Sequence, residues 1–236
     1  MQKIIYRSSE RGKTEWGWLH SMHSFSFGNY YDAGKMGFGL LRVLNDDTVE
    51  PGEGFGTHPH NNMEIISIVL KGALEHRDSV GSGSVIYPGD VQVMSAGTGI
   101  THSEFNHSSS EPVKFLQLWI IPKERNIKPR YDQKNFILSG MKDEIKTVIA
   151  GKESGQALYI HQNAAVSIGS LSRGKNISYT NFYKGNGVYL FVLDGSINLD
   201  NEKLNDRDAA GIYDTDELSL NASADTNFIV VEVPMN

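Results

Sequence analysis

The sequence predicts an all-β protein built as two tandem barrels, and three observations carry that expectation. First, apolar residues come in short runs rich in β-branched and aromatic side chains, each bounded by turn residues. Second, no stretch shows sustained helical periodicity, and 24 glycines against 7 prolines suit tight turns between many short strands. Third, the chain repeats itself. Thr57 to Gly72 (THPHNNMEIISIVLKG) aligns without a gap on Thr180 to Gly195 (TNFYKGNGVYLFVLDG), which puts Val69-Leu70 on Val192-Leu193 and Gly72 on Gly195. A second block follows at a slightly shorter offset, with Asp90 on Asp208, Met94 on Ile212 and Ile100 on Leu218.

Composition bounds the function. A chain of 236 residues accommodates two domains of about 110 residues each. With 39% apolar and 21% charged residues it reads as an ordinary soluble globular protein. A net charge of −6 argues against a nucleic-acid surface, which needs concentrated Lys and Arg. The absence of cysteine excludes disulfides, thiolate metal sites, iron–sulfur clusters and thiol nucleophiles. Met1 to Arg7 lacks the apolar core of a signal peptide, and no apolar run approaches the ~20 residues of a membrane helix. A cytoplasmic location is expected.

From the N-terminus, the aromatic segment Trp16 to Tyr31, with His20 and His23, is expected to be a strand covering the first barrel; stacking on a flat ligand is its alternative role. In Gly56-Thr57-His58-Pro59-His60 two imidazoles stand one residue apart, and His102 and Glu104 repeat that spacing. Alternate side chains of a strand share a face, so each pair aims two donors at one point. Two such strands side by side gather three imidazoles and a carboxylate, a set that suits a transition metal and leaves room for an exogenous ligand.

Between these pairs, Ile65 to Leu70 and Val91 to Met94 read as strands, and Phe115 to Ile121 and Phe228 to Val233 follow later. His76 reads as a structural or edge histidine on a strand leaving the barrel. Ala96 to Gly99 lacks the lysine and following helix of a phosphate loop and reads as the turn that presents His102. His107 is expected in a loop and His161 in a structural role, and nothing supports a serine triad. Lys123 to Lys134 is basic but interrupted by Glu124 and Asp132, and reads as a solvated linker within a boundary at Pro122 to Phe136.

The repeat also makes a chemical statement. Asn181, Tyr183, Leu220 and Ala222 stand where the first half has His58, His60, His102 and Glu104. All four candidate ligands vanish together, so residues 1–130 are expected to form a metal-binding barrel and residues 131–236 a divergent barrel without ligands.

These residues resemble the cupin superfamily. Its first motif is similar to Gly52, His58, His60, Glu64 and Gly72, although seven residues rather than six separate the last two. Its second is similar to Gly99, His102 and Asn106, with Gly97 where cupins usually carry proline. Within cupins the resemblance is to the pirin family, especially its bacterial members. It is carried by Arg11-Gly12, Trp18-Leu19, His23 to Phe27, Leu41 to Asp47, Gly54 to His60 and Met94 to Glu104, essentially the whole N-terminal half.

The resemblance implies two tandem cupin (jelly-roll) barrels, a bicupin. It implies one divalent metal held by His58, His60, His102 and Glu104, with Fe(II) the expected ion and Mn, Co, Ni, Cu or Zn compatible with the same donors. Glu64 has the parity to point into the same barrel and is the ligand position in many other cupins. The pirin pattern assigns the metal to Glu104 and leaves Glu64 to orient a ligating imidazole. The implied activity is quercetin 2,3-dioxygenase-type cleavage of a flavonol by O2, with Glu104 accepting the 3-hydroxyl proton. The alternative is a non-catalytic metal-binding regulator acting through a protein partner. A remnant of an isomerase-like cupin is a third possibility.

Overall fold

The structure, a computed structural model, describes residues 1–151 and 155–236. The described residues form 22 strands and one short 3-10 turn, Ser8–Glu10. In the N-terminal half a seven-stranded sheet runs in the spatial order β12 (Arg130–Asn135), β9 (Asp90–Ser95), β6 (Glu64–Lys71), β11 (Val113–Ile120), β4 (Leu41–Val49), β3 (Leu19–His23), β2 (Gly12–Glu15). Against it packs a four-stranded sheet, β5 (Gly54–His60), β10 (Ile100–Asn106), β7 (Leu74–Asp78), β8 (Gly83–Ile86).

The C-terminal half repeats the plan. Its seven-stranded sheet runs β1 (Gln2–Tyr6), β20 (Ala209–Tyr213), β17 (Gly187–Asp194), β22 (Thr226–Val233), β15 (Ala165–Leu171), β13 (Glu144–Ala150), β14 (Leu158–Tyr159). Its four-stranded sheet runs β16 (Asn176–Thr180), β21 (Glu217–Ala222), β18 (Ile197–Leu199), β19 (Glu202–Leu204). The all-β, two-cupin architecture is the expected one. No helix of the described residues is long and apolar enough to cross a membrane.

Burial on both faces explains why β6 and β11 are almost continuously apolar. Ile66, Ile68, Leu116 and Leu118 join Val166, Ile168, Phe191, Ile229 and Val231 in one core shared by the two large sheets. The opposite faces contribute Val69 and Phe115, which meet Leu74 and Ile86 of the small sheet inside the first barrel. Each such side chain, fully buried, contributes about 1.5–3 kcal/mol. The repeat is visible in the strands themselves: β6 and β17 share their length and burial pattern. Gly72 and Gly195, aligned in sequence, both take positive φ (80° and 88°). A Cβ there would meet the Pro112 or Asp225 carbonyl oxygen at 2.9 or 2.2 Å, so only glycine fits either turn.

Strand pairing crosses the division expected at residues 130/131 twice. β1 pairs with β20 in the C-terminal sheet, and β12 pairs with β9 in the N-terminal one. Residues Arg130 to Lys134 are therefore a strand and not the solvated linker that their charge suggests. The charges are bound by the other half: Arg130 donates to the Tyr159 carbonyl (2.6 Å) and Lys134 to that of Gln156 (2.7 Å).

Candidate metal centre

β5 and β10 are antiparallel neighbours, with His58 opposite His102 and His60 opposite Ile100. Alternation then does the aiming. Thr57 and Pro59 are exposed while His58 and His60 turn inward, and on β10 Ile100, His102, Glu104 and Asn106 are all buried. Pro59 is tolerated because β5 is the edge of its sheet. The turn before β10 needs Gly97, whose φ of +48° proline cannot adopt, and a Cβ there would lie 2.1 Å from the Ile127 carbonyl oxygen. That geometry is the physical reason for the departure from the proline of other cupins.

The imidazole rings of His58, His60 and His102 have centroids 4.4 to 4.9 Å apart. Their donor atoms lie within 4.8 Å of one another, whereas Glu104 forms a second group at that distance with His102 and His76. The pairing register slips between His102 and Glu104, which stands opposite Phe55. Such a bulge re-aims a side chain. The Glu104 carboxylate accepts hydrogen bonds from Ser67 Oγ (3.1 Å) and Gln117 Nε2 (2.6 Å), and the Gln117 carbonyl in turn accepts one from Trp119 Nε1 (3.1 Å).

The donors suit a divalent transition metal. His58 Nδ1 lies 2.7 Å from the Gly56 carbonyl oxygen; a carbonyl can only accept, so Nδ1 carries the proton and Nε2 the lone pair. His102 Nε2 is buried without a protein partner, an expensive condition for a polar atom unless a ligand such as a metal satisfies it. Burial, reinforced by the neighbouring His102 and His58, pushes His60 down to about 4. Burial, with His58 and His76, pushes His102 down to about 3. Both rings are therefore neutral near pH 7, as metal ligation requires.

A cavity of about 300 Å³ opens on this cluster. Its lining includes His58, His60 and Glu104 together with the aromatic side chains of Trp16, Phe27, Phe55 and Trp119. The Trp119 ring stands edge-on to both His60 (4.9 Å) and Phe27 (5.3 Å). At the far pole His23 Nδ1 is 2.9 Å from Asn45 Oδ1, and Ser21 donates a hydrogen bond to Asp47. Burial pushes the Asp47 carboxyl up to about 7, against the lowering effect of that Ser21 bond. The segment read as a covering strand thus supplies β3, next to the edge strand β2, and part of the cavity wall.

Two expectations change. Glu64 does not face the imidazoles: Asn62 turns the chain with φ +46°, β5 and β6 enter different sheets, and parity is lost between them. Its carboxylate is fully buried and accepts hydrogen bonds from Ser95 Oγ (2.8 Å) and the His161 backbone N–H (3.3 Å), which ties the two halves together. His76, read as a structural or edge residue, does not lie at an edge. It is completely buried on an inner strand, its Nδ1 3.4 Å from His102 Nδ1. The signal was present in the sequence as His76-Arg77-Asp78, which repeats the one-residue spacing of the other two pairs. His20 and His107 are exposed and pair with Glu15 and Glu75.

Comparison with known proteins agrees with this geometry. Residues 6–120 match the Pirin family and residues 147–233 the quercetinase C-terminal cupin domain. Quercetin 2,3-dioxygenase of Escherichia coli K12 is 39% identical over 233 residues, covering 98% of this chain and 99% of its own. A pirin-like protein of Caulobacter vibrioides is 37% identical over 222 residues, covering 94% and 95%. Among solved structures, bacterial pirin YhhW from Escherichia coli in complex with nickel(II) matches with a TM-score of 0.93 at 37% identity, over 99% of both chains. A bicupin with these motifs, this register and these relatives belongs to the pirin family.

Proposed function

We propose that the protein is a metal-dependent dioxygenase that cleaves flavonols such as quercetin, with His58, His60, His102 and Glu104 holding one divalent metal, assigned as Fe(II). The observation that carries the reading is the cavity: three candidate ligands and four aromatic side chains share one space of about 300 Å³, at the small end of ligand pockets. The relatives named as quercetin 2,3-dioxygenases support the substrate class. The bound ion would supply a Lewis-acidic centre with open positions for substrate and oxygen.

The chain's own residues do the rest. Phe27, Phe55 and Trp119 offer apolar faces and edges to a flat polyphenol, excluding water from the reacting ring. Ser67 and Gln117 fix the rotamer of Glu104, and the Gln117 amide is itself held by Trp119. Glu104 accepts the proton of the flavonol 3-hydroxyl, a base role that typically contributes about 10²–10⁴-fold in rate.

The test is anaerobic addition of quercetin to the Fe(II)-loaded protein, followed by oxygen. A change in the absorption spectrum and then stoichiometric oxygen uptake is expected. The His58→Ala/His102→Ala protein should carry no metal and show neither response; full turnover without metal would sink the mechanism. Glu104→Gln should lower kcat by about 10²–10⁴-fold in protein whose metal content is measured alongside. Failure of quercetin to bind at any accessible concentration would instead leave the metal-binding regulator as the reading.

A further inference from the structure

Behind His102, on the side away from the cavity, two side chains form a line that the dioxygenase reading does not use. His76 and Asp78 occupy alternate positions of β7 and so face the same way, and both side chains are fully buried. His76 Nε2 is 3.2 Å from Asp78 Oδ2, and His76 Nδ1 is 3.4 Å from His102 Nδ1. The other oxygen of Asp78 accepts two backbone N–H bonds, from Val80 (3.0 Å) and Ser82 (2.9 Å), which anchor the carboxylate. Tyr131 stacks on the outer face of the His76 ring at 4.8 Å.

With both imidazoles neutral, donor and acceptor rules leave one consistent arrangement of protons. Asp78 accepts on both oxygens, so His76 Nε2 must carry hydrogen. A neutral His76 then presents a lone pair at Nδ1, which can only accept from His102 Nδ1–H. That places the lone pair of His102, one of the three grouped imidazoles, on Nε2, the buried atom without a partner. We infer that Asp78 and His76 form a positioning relay that fixes the tautomer and ring angle of His102, setting how tightly the centre holds its metal. The relay rests on the reading of His102 as a metal ligand. Partners of this kind typically change metal affinity about 10–100-fold when removed.

The experiment titrates metal-stripped full-length protein with nickel(II) against a chromophoric chelator, so that no turnover is needed. His76→Leu removes both hydrogen bonds and should weaken nickel binding by about 10–100-fold. His76→Gln can accept from His102 through its carbonyl and donate to Asp78 through its amide, and should recover most of the loss. Asp78→Asn turns an amide donor towards His76 Nε2, inverts the proton order along the line, and should weaken binding by about tenfold; it decides the matter if His76→Leu does not fold. X-ray absorption should count the same number of imidazoles on nickel in the wild type and His76→Gln.

Unchanged affinity in folded His76→Leu or in Asp78→Asn overturns the relay, as does a Gln variant no better than Leu. One imidazole fewer in His76→Gln would make His76 itself a ligand and also overturn it. Failure of the wild type to bind nickel, with these variants alike, removes the metal reading instead.

Discussion

The two barrels use matching strands for opposite purposes. On the fourth position of β6 and β17 the chain has Ser67 in one half and Leu190 in the other; on the fifth position of β11 and β22 it has Gln117 and Val230. His102 and Glu104 correspond to Leu220 and Ala222, both in a continuous apolar core. Asp47 and Gly169 each stand opposite the buried Phe115 or Phe228, and a Cβ at Gly169 would lie 2.2 Å from the Phe228 ring. The small sheet that carries His76 in one half offers Ile197 and Leu199 to the interior in the other. A handful of inward positions thus decides whether the same frame is a packed core or a polar cavity. The apolar version is the cheaper one, because every buried polar group must find a partner.

The sharpest way to break this comparison is to exchange one position. Leu220→His should destabilise the protein by about 3 kcal/mol or more, since a packed leucine is lost and an imidazole is buried without partners. At this chain length that lowers Tm by about 6–12 °C. The reverse change, His102→Leu, should abolish nickel binding yet alter metal-free stability by only about 1–2 kcal/mol, because one of the two nitrogens it removes is already unsatisfied and only Nδ1, bonded to His76, has a partner to lose. Thermal unfolding of both metal-free proteins checks the pair. Equal losses would show that the interior of the first barrel is as tightly packed as that of the second.

How far the sequence anticipates this contrast depends on whether a feature is local. Strand alternation made His58/His60 and His102/Glu104 legible, because parity within a strand is a property of consecutive residues. The repeat exposed the stripped positions of the second half for the same reason. Glu64 was misplaced because parity was carried across Asn62, where a left-handed residue resets it. The exchange of β1 and β12 was invisible, since partners more than 200 residues away for β1, and on a strand of the other half for β12, leave no local mark. His76 reads as a structural or edge residue because the ring it meets lies on β10, and only the register Glu104 to His76 reveals that contact.

A second contrast concerns buried carboxylates. Glu64 has one oxygen bonded to Ser95 and His161 and the other without a partner, and burial pushes its carboxyl up to about 7. Glu232, in the second half, is also raised by burial, but four donors meet its two oxygens: Tyr179 Oη, the N–H groups of Phe182 and Tyr183, and Asn186 Nδ2. An acid raised in the folded state keeps its proton while the unfolded chain has lost it. Its contribution is therefore full below the unfolded value near 4.5 and disappears as pH rises to about 7. For Glu64 that span corresponds to about 3 kcal/mol. Glu64→Gln should flatten the fall of metal-free Tm between pH 4.5 and 7. Glu232→Gln should instead cost about 1–3 kcal/mol at every pH, because either amide orientation opposes a donor to a backbone N–H. A pH profile unaltered by Glu64→Gln would place the titrating group elsewhere.

The smallest expected effect limits the comparison to the barrel interior. His107 follows the end of β10, only five residues beyond His102, but its ring is half exposed and pairs with Glu75 at 3.0 Å. An ion pair in water gains little, because the solvent screens it and two side chains must be held in place. His107→Ala should change stability by no more than about 0.5 kcal/mol and leave nickel affinity unaltered. The contrast with His76 is then a contrast of location alone: both histidines lie beside the same strand and both meet a carboxylate, yet only the buried one touches a candidate ligand. A loss of nickel affinity in His107→Ala comparable to that in His76→Leu would mean that the outer rim, and not the line Asp78–His76–His102, governs the centre.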